Sequence, residues 1–229
     1  SEEAKFIFNA ERRIERIEQT QRNDAHKLIE ECMILANISA ARFVEKAKEP
    51  ALFRIHDKPT TEAITSFRSV LAELGLELPG GNKPEPRDYA ELLESIGDRP
   101  DAEMLQTMLL RSMKQAIYDP ENRGHFGLAL QSYAHFTSPI RRYPDLAIHR
   151  ILSDVCAGMD DGAVQKKYAQ FAAEASVQSS EREVLAMTVE RDVEDCYKAE
   201  YMRRFEGEEF DGVISSITQF GLYVELPNT

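Results

Sequence analysis

The sequence predicts an α+β fold, mostly helical with short strands, closing on the opening strands of a second, small β domain. Three observations carry that expectation. Apolar residues recur at helical spacing over long stretches, most clearly from Asn23 to Val44 and from Asp101 to Tyr118. Short runs such as 52–56 and 126–130 instead have strand character. After Gly207 the period switches to two alternating strands, Phe210–Thr218 and Gly221–Leu226, around Gln219-Phe220. Two strands alone are marginal, so the chain is expected to stop inside that second domain.

In chain order, Ala4 to Gln21 fits either two strands joined at Asn9-Ala10-Glu11-Arg12 or a charged helix through Ile14 and Ile17; the hairpin is favoured. Asn23 or Asp24 caps a helix through Leu28, Ile29, Met33, Ala36, Asn37, Ala40 and Val44. Glu30 and Asn37, two turns apart, share a face of it. They form either an inward polar site or part of the solvated outer face. Leu52 to His56 is a short strand ended by Asp57-Lys58-Pro59. Thr60 or Thr61 caps a helix to about Glu73, with Gly75 as its stop. A loop over 79–86 leads to a helix from Tyr89 to Ile96. Another runs from Asp101 to Tyr118, with Met104, Met108, Leu109, Met113 and Ile117 on one side as core. A helix over Leu146 to Val155 is broken by Gly158 to Gly162, and a long charged helix follows from Ala163 to Phe205.

A chain of 229 residues and 26.0 kDa, 42% hydrophobic and 30% charged, holds one large domain or one medium domain with an appendage. No apolar run approaches the ~20 residues of a membrane span, and the opening residues have no signal-peptide pattern. Cys32, Cys156 and Cys196 lack metal-ligand spacing, so reduced thiols in a cytoplasmic protein are expected. A net charge of −12 argues against indiscriminate nucleic-acid binding but leaves room for a basic channel inside an acidic shell. Phosphate-loop, dinucleotide, zinc-protease and nucleophile-elbow patterns are absent.

Chemistry concentrates between His125 and Arg150, where three His, three Arg and four aromatics fall within twenty-six residues. Phe126, Leu128 and Leu130 alternate as a half-buried strand would. Ser138-Pro139 has the form of an N-cap with proline at the first helical position, yet Pro144 would break such a helix. Either the helix kinks, or 138–143 is a turn and the helix begins at Pro144. Both place Arg141 and Arg142 at a helix mouth, where orphan N–H groups and the dipole favour an anion such as phosphate. The competing reading of Arg141 is an i,i+4 pair with Asp145, worth ~0.3–0.5 kcal/mol.

This string, Gly124-His125-Phe126-Gly127-Leu128, then Tyr133-Ala134-His135-Phe136-Thr137-Ser138-Pro139-Ile140-Arg141-Arg142-Tyr143 and Asp145, with His149-Arg150 beyond, resembles the signature of the RNB family of 3′-to-5′ exoribonucleases. Arg22 to Met33 through Asn37, Phe53-Arg54-Ile55-His56 and Glu190-Arg191-Asp192 agree with it. The resemblance implies the C-terminal portion of an RNB catalytic domain over 1–206 and the first two strands of an S1-type OB-fold over 207–229. It implies a processive, Mg²⁺-dependent hydrolase that draws in single-stranded RNA, with structured RNA as a further substrate, and releases nucleoside 5′-monophosphates. Ribosome- or RNA-decay-associated factors are the further partners it allows, and a monomer is expected.

Carried over by position, Arg141 matches the arginine gripping a phosphate, and Glu190 a glutamate near the terminal nucleotides; these are the candidate catalytic residues. Glu30 matches a carboxylate at the terminal ribose, which helps select RNA through its 2′-OH. Asn37, Tyr133, Ser138, Arg142 and Tyr143 join the candidate RNA contacts, while Asp145, His125 and His149 are expected to hold those residues in place. The family's metal-binding aspartates lie upstream of everything in these 229 residues, so Mg²⁺ ligands are expected elsewhere and this chain alone is expected not to hydrolyse RNA. The alternative function is a non-catalytic RNA-binding or adaptor module.

Overall fold

The computed structural model describes residues 4–19, 22–97 and 99–226. It divides into two units: residues 1–30 with 183–229, and residues 31–182.

In the first unit, β1 (Ala4–Phe8) and β2 (Ile14–Gln19) form the antiparallel hairpin, which settles the ambiguity of the opening segment. The turn forms because the Asn9 side chain accepts from the N–H groups of Glu11 and Arg13 while Arg12 takes a left-handed φ of 60°. The C-terminal half of the long helix α6 (Asp161–Met202) belongs to this unit, and its Tyr197 ring meets Phe6 and Phe8 at 6.0 and 5.5 Å. Two further strands, β5 (Val213–Thr218) and β6 (Gly221–Glu225), pair antiparallel as a two-stranded sheet. The two expected strands are there; closure into a barrel is not seen among the described residues.

The second unit positions the chemistry. Helix α1 (Asp24–Ala47), whose residues up to Glu30 belong to the first unit, begins where Asn23 caps it: the Asn23 side chain accepts from the His26 N–H at 3.1 Å. The expected apolar stripe is shorter than its sequence, because burial is confined to Asn37, Ala40, Ala41 and Val44, whereas Leu28, Ile29 and Leu35 are exposed. Strand β3 (Phe53–Ile55) follows, then α2 (Thr61–Glu73), capped by Thr60 with Gly75 at φ +70° beyond its end. Helices α3 (Pro86–Ile96) and α4 (Ala102–Ser112) complete a three-helix layer around Phe67, Leu71, Leu92, Ile96 and Leu105.

Here one expectation fails. The fourth helix does not reach Tyr118; it ends at Ser112, and Ile117–Asp119 is a strand, β4, antiparallel to β3. Methionine spacing suggested helix, but pairing with Phe53–Ile55 overrides local propensity. The run 126–130 is likewise not a strand. Phe126–Leu128 is a single 3₁₀ turn, closed by Ala129 at φ 54°, and only His125 and Leu130 bridge as strand residues do.

Helix α5 (Tyr143–Cys156) starts immediately before Pro144, so of the two alternatives the turn is correct. The Ser138 carbonyl accepts from the N–H groups of Arg141 and Arg142, and Ser138 does not cap the helix. Two more apolar clusters flank this segment. One joins Val44, Phe53, Ile55, Ala134 and Ile148; the other joins Leu52, Ile151, Val164, Tyr168 and Ala172. They anchor the middle and the C-terminal end of the stretch from His125 to Arg150, while Phe126 packs into the cluster of the three-helix layer.

Candidate nucleic-acid interface

The segment 133–145 is extended chain followed by a tight turn, held by two buried side chains, Asn37 and Asp145, and the half-buried His149. Asn37, 3% exposed on α1, spends its whole amide on the segment. Its Oδ1 accepts from the N–H groups of Phe136 at 2.9 Å and Thr137 at 3.2 Å, and its Nδ2 donates to the Tyr133 hydroxyl at 3.0 Å. Asp145, fully buried in the first turn of α5, reaches back: Oδ1 accepts from the Ser138 N–H and from the Arg142 guanidinium, each at 2.7 Å. His149, one turn on, stacks on the Phe136 ring at 4.0 Å and donates from Nε2 to the Phe136 carbonyl at 2.9 Å.

The two arginines therefore differ. Arg142 is the N-cap residue of α5, its side chain 19% exposed and paired to Asp145 three residues on. The anticipated Asp145 partner is thus Arg142 rather than Arg141. Arg141 is exposed at the tip of the turn beside Ile140, which is 101% exposed, and both sit at the mouth of α5. Tyr143 is half-exposed, its ring edge-on to Phe171 at 6.3 Å.

Beneath the turn lies a cluster of rings that the sequence did not single out as a unit. The Tyr118 hydroxyl meets His135 Nδ1 at 2.8 Å, and Tyr133 packs edge-on to both His125 and His135. His56 is locked in one tautomer: Nδ1 accepts from the Gly127 N–H at 2.8 Å, and Nε2 donates to the Lys114 carbonyl at 2.7 Å. A Cβ on Gly127 would lie 2.7 Å from His56 Nδ1, so glycine is required there. Burial pushes His135 down to about 3, helped by the positive charges of Arg142, Arg54 and Arg141. Burial also pushes His125 down to about 4, helped by His56 and Arg54.

Both folded-state values lie below the unfolded histidine value, so the stability these neutral rings contribute is complete above pH ~6.5 and is lost as pH falls toward 4 and 3. The loss approaches about 1.4 kcal/mol per pH unit for each histidine. Denaturant titrations at pH 7 and pH 5 are expected to show a lower midpoint at pH 5, with His135→Gln flattening the dependence. Equal midpoints in the parent chain would refute it.

The remaining predicted site residues stand as follows. Tyr133 is buried, with its hydroxyl bound to Asn37, so it is placed to support the turn and its ring is not available to stack on a base. Asn37 is likewise turned inward, which corrects its expected place among the RNA contacts: every polar atom of its side chain is committed within the protein. Glu30, in the first unit, is ion-paired with Arg22, and Glu190, also in the first unit, lies exposed on α6. Among the described residues no cluster of three or more His, Cys, Asp or Glu side chains could hold a metal ion. No described helix is long and apolar enough to cross a membrane.

Comparison with known proteins fits this arrangement. Residues 1–158 match the RNB domain family. Ribonuclease R of Escherichia coli (strain K12) is 72% identical over 233 residues, which covers 99% of this chain and 29% of that protein. Mycoplasma genitalium RNase R in complex with ribose methylated single-stranded RNA superposes with a TM-score of 0.92 at 26% identity, over all of this chain and 36% of that one. The same enzyme in complex with double-stranded RNA gives 0.91 at 25% identity, over 99% and 40%. The chain thus spans less than a third of the length of its curated relative. A family match over more than half of its residues, joined to that identity, makes it a member of the RNB domain family.

Proposed function

We propose that this chain forms the phosphate-holding wall of a processive, Mg²⁺-dependent 3′-to-5′ exoribonuclease acting on single-stranded and structured RNA and releasing nucleoside 5′-monophosphates. The observation that carries the reading is the exposed Arg141 on a turn fixed from below by Asn37, Asp145 and His149, in a chain 72% identical to Ribonuclease R. A planar guanidinium presents paired donors to a phosphate oxygen pair. A turn whose backbone N–H groups are already bonded loses little entropy when the phosphate arrives. Arg142, neutralised by Asp145, shapes the turn instead of carrying the anion. Arg141 and Ser138 line the nucleotide path, Glu30 meets the terminal ribose, and Glu190 stands near the terminal nucleotides.

Mg²⁺ supplies the activated water and neutralises the phosphate in such hydrolyses. No cluster of three ligands for it occurs among the described residues, and the isolated 229-residue chain is expected to bind RNA without cleaving it. The protein is expected to act in the cytoplasm as a monomer. Incubating the chain with Mg²⁺ and a uniformly labelled single-stranded RNA tests the claim, with the whole protein as comparison. Intact RNA from the chain and mononucleotides from the whole protein are expected; mononucleotide release at equal rates by both would overturn it.

A further inference from the structure

The most exposed apolar side chain in the second unit sits beside its candidate phosphate grip. Ile140 is 101% exposed, while the turn that carries it is among the most tightly held parts of the chain. The N–H groups of Arg141 and Arg142 bond to Ser138, the Ser138 N–H to Asp145, and those of Phe136 and Thr137 to Asn37. From Ser132 to Leu146 every residue is buried or half-buried except Ile140, Arg141 and Tyr143. A β-branched side chain has few rotamers, so on this fixed backbone Ile140 is a stiff apolar knob pointing into solvent.

We propose that Ile140 packs against the ribose–base face of the nucleotide whose phosphate Arg141 holds, so that the turn tip reads a polynucleotide through two chemistries at once. The inference rests on the phosphate-grip reading of Arg141. A nucleotide offers an anionic edge and, within a few ångströms, an apolar sugar and base face, the same pairing of charge and apolar surface that Arg141 and Ile140 present as sequence neighbours. Charge alone cannot distinguish one phosphate from the next along a strand. A rigid contact to the intervening nucleoside can, which makes Ile140 a register-setting residue. A free inorganic anion or a phosphorylated peptide would satisfy Arg141 but leave Ile140 exposed.

The test uses the whole protein with Ile140→Ala and Arg141→Ala, and two 3′-ended single-stranded oligonucleotides, one ordinary RNA and one with abasic sites at its last positions. Ile140→Ala is expected to weaken ordinary RNA about tenfold, consistent with uncovering one large aliphatic side chain. It should weaken abasic RNA, which keeps the sugar but lacks the base, by much less, and leave the slope of affinity against salt unchanged. Arg141→Ala is expected to weaken both oligonucleotides and to flatten the salt slope by about 0.7. Loss from Arg141→Ala with none from Ile140→Ala overturns the Ile140 contact alone. No loss from either overturns the phosphate grip on which it rests. A melting temperature lowered by Ile140→Ala with RNA affinity intact would show that the side chain packs against protein, and would also overturn the proposal.

Discussion

Replacing Arg141 by alanine in the whole protein is expected to lower kcat/KM for single-stranded RNA by about two orders of magnitude, the usual scale for removing one fixed donor from a charge-bearing oxygen. The fold should be indifferent to the change. Arg141 is exposed, its N–H bond to Ser138 is a backbone contact that alanine keeps, and Asp145 is paired to Arg142 instead. The melting temperature is therefore expected to stay within about 2 °C, since exposed substitutions fall within about 0.5 kcal/mol. Arg141→Lys keeps the charge but loses the planar fork and should recover only part of the activity. The measurement is steady-state hydrolysis of a labelled single-stranded RNA at two salt concentrations, with thermal melting alongside. Full activity in Arg141→Ala with an unchanged salt dependence would reduce the residue to a surface charge.

What made the helix mouth at Arg141 and Arg142 legible from sequence was local chemistry. A proline, a run of turn residues and two arginines at a helix mouth need no distant partner to be understood, and the helix starts at Asn23 and Thr60 were readable for the same reason. The elements that were misread depend on partners far along the chain. Residues 117–119 become a strand because Phe53–Ile55, some sixty residues earlier, supply the ladder, and no window of sequence contains both. Phe126–Leu128 curls into a 3₁₀ turn because Phe126 donates to the His56 carbonyl and Gly127 to the His56 ring. For Asn37 an inward polar site and a solvated outer face were both open; the fold buries it against partners that lie 96 to 100 positions away. An asparagine's side-chain amide serves a backbone as readily as a ligand, so its task was hidden until the fold brought them together. Ile140 was hidden for the opposite reason: an apolar residue in a short turn is assumed to be covered, and only the fold shows it bare.

The larger effect on stability is expected at Asp145. Its carboxylate is fully buried, and one oxygen accepts from both the Ser138 N–H and the Arg142 guanidinium. Asp145→Ala strands a largely buried cation and a backbone donor together, and breaking a buried pair from one side costs about 3–5 kcal/mol. Against a total stability of about 5–15 kcal/mol that is a large fraction, and a fall in melting temperature of roughly 10 °C is expected for a chain of this size. The pair is not itself an efficient source of stability. Asp145 Oδ2 and Arg142 Nε are both buried without a hydrogen-bond partner, so one carboxylate oxygen and one guanidinium N–H are left idle. The double variant Asp145→Leu with Arg142→Met, apolar on both sides, should therefore recover most of the loss while leaving the Ser138 N–H without its acceptor and the turn free to relax. That separation is the test. If the pair exists to hold the turn, the double variant will melt close to the parent yet cleave RNA poorly, with the defect in kcat rather than KM, because Arg141 is then displaced from the phosphate it must meet in the transition state. Parent-like cleavage in a double variant that has regained its stability would show that the turn keeps its shape without Asp145, and that the charge at this position serves packing alone.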